Sequence, residues 1–220
     1  MIDRAELVRW SQIPEAADRY LRPFVCRGAL ARGGAAIVGT NPATAITPDG
    51  VGFDEYMDLL LNLEEFTKFY RHLRIKRGKR ATSPTRTGLN GMAKWLSTLG
   101  WNCVLDTNVS PYPTASKEDL DLVPPKWQSR WVVVEVVHAV KPRLLILHGE
   151  EALKHFAQTL APQLMVRAQL PFTQLVEQFP RLGGITWEGG EVCEVFVCPH
   201  LRFFGHNGGA RFLPLCVRSS

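Results

Sequence analysis

The chain of 220 residues has no uninterrupted apolar run of about 18 residues, the length needed to cross a bilayer, so no membrane partner is expected. It has no Cys-x-x-Cys pair. Its cysteines (Cys26, Cys103, Cys193, Cys198 and Cys216) are odd in number and scattered, which points to reduced thiols in a cytoplasmic protein rather than to a disulfide framework. Cys193 and Cys198 flank the approach to His200, but that cluster is too small for a metal site, and neither metal nor cofactor is expected. The opening Met1-Ile2-Asp3-Arg4-Ala5-Glu6 lacks the apolar core of a secretory signal. No internal repeat is visible. A single domain over 1–220 and a monomeric state are expected.

Acidic residues are missing from two long intervals. Between Phe66 and Leu105 there is no Asp or Glu, while Lys68, Arg71, Arg74, Lys76, Arg77, Lys79, Arg80, Arg86 and Lys94 all fall there. From Val195 to Ser220 there is again no acid. The net charge of +5 is modest, but cations gathered without counterions favour a polyanion, of which nucleic acid is the commonest. A solvated basic loop is the plainer alternative.

The apolar runs Ala35–Val38, Cys103–Leu105, Leu144–Leu147 and Val195–Val197 are short and end in polar or Gly-containing turns. They read as buried strands of a mainly parallel, four-stranded sheet. Between them lie helical patterns over Phe53–Leu73, Gly88–Leu99, Trp127–Val140, Glu150–Leu160 and Pro171–Phe179, with Gly78–Thr87 as a basic loop. This alternation predicts an α/β fold, a three-layer α/β/α sandwich.

Ligands of open α/β folds bind beyond the carboxyl ends of the strands. The loops there are Gly39-Thr40-Asn41-Pro42, Asp106-Thr107-Asn108-Val109-Ser110-Pro111, His148-Gly149-Glu150 and Cys198-Pro199-His200-Leu201-Arg202. Singly, an Asn-Pro turn or a lone His is unremarkable. Together they bring two Asn and a His to one sheet edge, a set able to read a polar heterocycle and stabilise developing negative charge.

These loops resemble the motifs of the uracil-DNA glycosylase superfamily. Gly39-Thr40-Asn41-Pro42 is similar to its first motif in the Gly-x-Asn-Pro form of the single-strand-selective and mismatch-specific branches. Gly52-Phe53 resembles the segment that supplies a base-stacking aromatic. Thr107-Asn108-Val109 resembles the motif whose Asn pairs with the flipped pyrimidine, and Pro199-His200 resembles the second motif, where His precedes a DNA-entering segment. The likeness runs from Ala35 to Phe212 in the right order. It departs in having Leu201-Arg202 after His200, in lacking the water-activating Asp of the most active branch, and in placing Ala43 where that branch excludes C5 substituents with Tyr.

The resemblance implies a monofunctional DNA glycosylase. Such an enzyme flips out uracil or another modified pyrimidine and hydrolyses its N-glycosidic bond, in repair or in defence against modified phage DNA. Asn41 and His200 are then the catalytic candidates, with His206 the alternative histidine. Gly39, Thr40, Pro42, Ala43, Phe53 and Asn108 form the base pocket. Arg74, Lys76, Arg77, Lys79, Arg80, Arg86 and Arg202 hold phosphates, and Phe203 and Phe204 wedge into the stack. Phe53, Phe203 and Phe204 fit a place in the core equally well. Two other functions suit the same residues: a non-catalytic nucleic-acid-binding protein on this fold, and a hydrolase of free nucleosides or nucleotides.

Overall fold

The computed structural model describes residues 2–12, 18–160, 169–178 and 180–207, the side chains of 205–207 excepted. The protein is α/β, built on a six-stranded mixed sheet. Its strands are β1 (Phe24–Arg27), β2 (Ala35–Gly39), β3 (Val104–Asn108), β4 (Leu144–His148), β5 (Arg181–Thr186) and β6 (Val192–Cys198), in the spatial order β1-β3-β2-β4-β6-β5. The inner four run parallel, whereas β1 and β5 pair antiparallel at the two edges. The four-stranded sheet expected from the sequence is therefore corrected to six strands of mixed direction. The four apolar runs are the parallel interior, where strands covered on both faces carry unbroken apolar sequence. The edge strands differ: β1 carries a short buried apolar run, Phe24-Val25-Cys26, whereas β5 lacks one. β1 has only four residues, and β5 carries Gly183-Gly184 with partial exposure.

The helices are α1 (Arg4–Ser11), α2 (Phe53–Leu60), α3 (Leu63–Lys76), α4 (Pro84–Thr98), α5 (Lys117–Asp121), α6 (Pro125–Gln128), α7 (Trp131–Val140), α8 (Glu150–Thr159) and α9 (Phe172–Gln178), followed by a 3-10 helix over Leu201–Asn207. The expected single helix over Phe53–Leu73 is split. Asn62 caps α3 by accepting from the backbone N–H groups of Glu64 and Glu65, so the apolar stripe continues across a break in the backbone. Ser83 caps α4 and Pro84 opens it, which shortens the basic loop from its C-terminal side. Ser129, in the left-handed region, divides Trp127–Val140 into α6 and α7.

One core runs through the sheet and its helices, with Ile37, Leu145, Ile146, Val195 and Val197 fully buried. Cys26, Cys103, Cys193 and Cys198 are buried free thiols, as small apolar side chains would be. Among the described residues no helix is long and apolar enough to cross a membrane, and no group of three metal-ligating side chains gathers.

Candidate functional site

Strand register brings the expected residues to one edge. Gly39 of β2 lies opposite Asn108 of β3, Val38 pairs with Leu147 of β4, and His148 pairs with Cys198 of β6. Beyond the strands, the Val109 N–H donates to Gly39, Ser110 to Thr40 and Thr114 to Pro42, so two strand-end loops are joined backbone to backbone. These loops, α3, α4 and the start of the 3-10 helix enclose a cavity of about 470 Å³. Thr40, Asn41, Pro42, Ala43, Asn108, Arg86, His200 and Arg202 face it, together with Arg22, Tyr70, Lys117 and His148.

The polar groups are oriented by their other contacts. The Asn41 amide nitrogen donates to the Thr114 carbonyl and hydroxyl (3.2 and 2.6 Å), which leaves its Oδ1 as the acceptor for the cavity. His200 Nδ1 accepts from the Arg202 N–H at 3.2 Å, so in the neutral ring the proton sits on Nε2 and is available for donation. Burial, reinforced by Arg202, lowers the His200 pKa and favours that neutral form. His148 packs perpendicular to His200 with ring centroids 5.4 Å apart. Its nitrogens are both buried without hydrogen-bond partners, and burial, then His200 and Arg86, push its pKa down to about 3. Gly39 is required where it stands. A Cβ there meets His148 Nε2 at 2.5 Å and Asn108 Oδ1 at 2.9 Å, so this glycine admits both side chains to the same level.

Several residues lie elsewhere than the sequence suggested. Phe53 begins α2 and packs against Tyr20 at 5.3 Å, outside the cavity; among the described residues, the Phe, Tyr or Trp that lines the cavity is Tyr70. Arg86 is not a surface phosphate contact. It is buried and paired with Asp106, because a charge at that depth needs a counterion. Phe204 is buried against Trp95, with Gly91 beneath its ring, so it belongs to the core and not to a wedge. Phe203, 48% exposed and 4.5 Å from the Arg202 guanidinium carbon, remains at the surface beside the cavity mouth. Arg74 and Arg77 reach back to the loop after β2. Arg74 donates to Thr44 and to the Arg80 carbonyl, and Arg77 to the Ala45 carbonyl. Lys76, Lys79 and Arg80 are exposed. The His206 side chain lies outside the described residues.

Arg22, Tyr70, His148 and Lys117 were not assigned from sequence. Arg22 lies two residues before the antiparallel strand β1, whose first residue pairs with Thr107, so it sits at the edge where the parallel strands end. Thr107 donates to the Pro23 carbonyl at 2.5 Å and Arg22 donates its own N–H to the Pro111 carbonyl, which fixes the segment. The signal available was an Arg-Pro set inside the apolar stretch Leu21–Cys26. The Arg22 guanidinium lies over the rings of Phe66 and Tyr70 at 5.4 and 5.9 Å, and Arg86 lies over the same rings at 5.4 and 5.6 Å. Burial raises the Tyr70 phenol, but Arg22, the Thr44 hydrogen bond, Arg86 and Arg74 outweigh it and bring it below its ordinary value. Three guanidinium groups, those of Arg22, Arg86 and Arg74, thus lie beside one phenol ring.

No protein-family model and no curated protein matches this chain.

Proposed function

We propose that the protein is a monofunctional DNA glycosylase that excises uracil or another modified pyrimidine, on a three-layer sandwich of the uracil-DNA glycosylase kind. The observation that carries this reading is the convergence of Asn41, Asn108 and a neutral His200 on one cavity beside an exposed basic segment. The Asn108 amide offers donor and acceptor to the Watson–Crick edge of a flipped base. N-glycosidic cleavage leaves negative charge on the base, and the Nε2–H of His200 is a preorganised donor to it. Asn41 Oδ1 is suited to holding water against the sugar carbon. An amide is a weak base, so turnover is expected to be slow. Ala43 leaves room on the cavity wall for a ring substituent. Lys76, Lys79, Arg80 and Arg202 would hold phosphates around the mouth, with Phe203 next to the vacated stack.

The test is incubation with oligonucleotides carrying uracil, hydroxymethylpyrimidines or glycosylated pyrimidines, followed by detection of abasic sites. Asn41→Ala and His200→Ala are each expected to lower turnover by about 10²-fold or more. An absence of abasic product from every substrate overturns the reading. Tight binding without product supports instead a non-catalytic nucleic-acid-binding protein.

A further inference from the structure

We propose that the cavity floor at Arg22, Arg86 and Tyr70 is a binding site for an oxyanion carried by the ligand, a phosphate or a carboxylate. Arg22 is only 5% exposed and its Nη1 is buried with no hydrogen-bond partner. A guanidinium withdrawn from water is costly unless something pairs with it. Within the fold the candidate counterion is Asp106, but this carboxylate gives Oδ2 to Arg86 and makes no ion pair with Arg22. The arginines therefore outnumber the carboxylate. Arg202 adds positive charge to the wall, whereas Lys117 is paired with Glu151, and no Asp or Glu is among the described residues that line the cavity.

The floor is also rigid. Phe66 and Tyr70 stack with centroids 5.8 Å apart, and both Arg22 and Arg86 lie over this pair. The Tyr70 hydroxyl is held 3.0 Å from that of Thr44, whose oxygen also accepts from Arg74. The planar donor fork of a guanidinium matches the edge of a phosphate or carboxylate. A neutral heterocycle alone leaves the Arg22 donor unused. The proposal stands apart from the glycosylase reading, because anion binding at this floor needs no bond cleavage.

The wild-type protein is titrated with inorganic phosphate against chloride at matched ionic strength, by calorimetry and by thermal midpoint. Saturable single-site binding is expected, and Arg22→Met is expected to weaken it by about tenfold or more. Arg22→Lys keeps the charge without the fork and should retain an intermediate affinity. It also carries the comparison if the Met variant does not fold. Two further pairs identify the source of the anion. Deoxyuridine 5′-monophosphate binding better than deoxyuridine assigns the site to a phosphate of the nucleotide. Orotate binding better than uracil assigns it to an acidic group on the base. No saturable phosphate effect, an effect unchanged in Arg22→Met, or no gain in either pair overturns the proposal and leaves Arg22 as a structural cation. Abasic product without anion binding sinks this inference alone, and anion binding without product sinks only the glycosylase reading.

Discussion

Replacing Gly39 with Ala tests whether His148 and Asn108 work from their observed positions. Gly39 lies in β2 with ordinary strand backbone, so Ala is conformationally acceptable there. The added methyl carbon meets His148 Nε2 at 2.5 Å, His148 Cε1 at 2.7 Å and Asn108 Oδ1 at 2.9 Å. Ordinary contact begins near 3.4 Å, so His148 must retreat by about 0.9 Å (3.4 − 2.5) or Asn108 must turn away. The atoms that collide are side-chain ends and not backbone, which places the stability cost at the low end of overpacking, about 1–2 kcal/mol. For a chain of this size that is a fall of roughly 2–8 °C in thermal midpoint. A displacement of ~1 Å at a positioning group costs on the order of 10²-fold in turnover. The assay pairs thermal unfolding with abasic-site formation, or with oligonucleotide affinity if no product forms. Gly34→Ala is the control. It collides with the Cys103 carbonyl at the opposite end of the strand, so stability should fall without loss of activity per folded molecule. Wild-type turnover and affinity in Gly39→Ala would refute the placement of both side chains in the working site.

Gly88→Ala is expected to be more damaging, because its Cβ falls 1.8 Å from the backbone oxygen of Leu201 and must push the 3-10 helix off α4. Activity, measured as above, should drop further than the fall in midpoint explains, since His200 moves with Leu201. Asp106→Asn leaves Arg86 buried without its counterion and should cost roughly 3–5 kcal/mol in urea unfolding, whereas Asp106→Leu combined with Arg86→Met should recover much of that loss. His148 has a folded pKa of about 3, below its unfolded value near 6.5, so the unfolded chain binds the proton first. Stability then falls as pH drops from about 6.5 toward 3, by ~1.4 kcal/mol per pH unit from this group, and His148→Gln should flatten the slope. Lys79→Ala should weaken DNA binding evenly across sequences and reduce the salt slope by about one.

Much of the interior was legible because burial on both faces leaves apolar runs, as in Leu144–Leu147 and Val195–Val197. The edge strands were not: β5 holds Gly183-Gly184 where an apolar run would be, and the apolar Phe24-Val25-Cys26 of β1 lies antiparallel at the edge, outside the parallel pattern. Asn41, Asn108 and His200 could be assigned because each ends or closely follows a parallel strand, and strand direction alone sends them to a common edge. Arg22 reaches that edge from the opposite direction, by preceding an antiparallel strand, and nothing local announces the direction of a strand. Tyr70 lies on a helix stripe that reads as core, and only tertiary packing places it in the cavity wall. The same holds for Arg86. Its place in a basic interval suggests solvent, but α4 carries it inward to Asp106.

The backbone bonds that join the Gly39–Pro42 loop to the Val109–Thr114 loop have a consequence for how this cavity can change. Asn41 and Asn108 ride on one welded ledge, and the Asn41 amide is itself fastened to Thr114. Neither can be re-aimed without the other, so the spacing between them is a fixed gauge. Adaptation to a larger or smaller ligand falls instead to the mouth, where the exposed Arg202 projects from the 3-10 helix, since Tyr70 is itself held to Thr44 in the loop after β2. Slow amide exchange at Val109 and Ser110, against faster exchange through Leu201–Phe204, is the measurable form of that asymmetry.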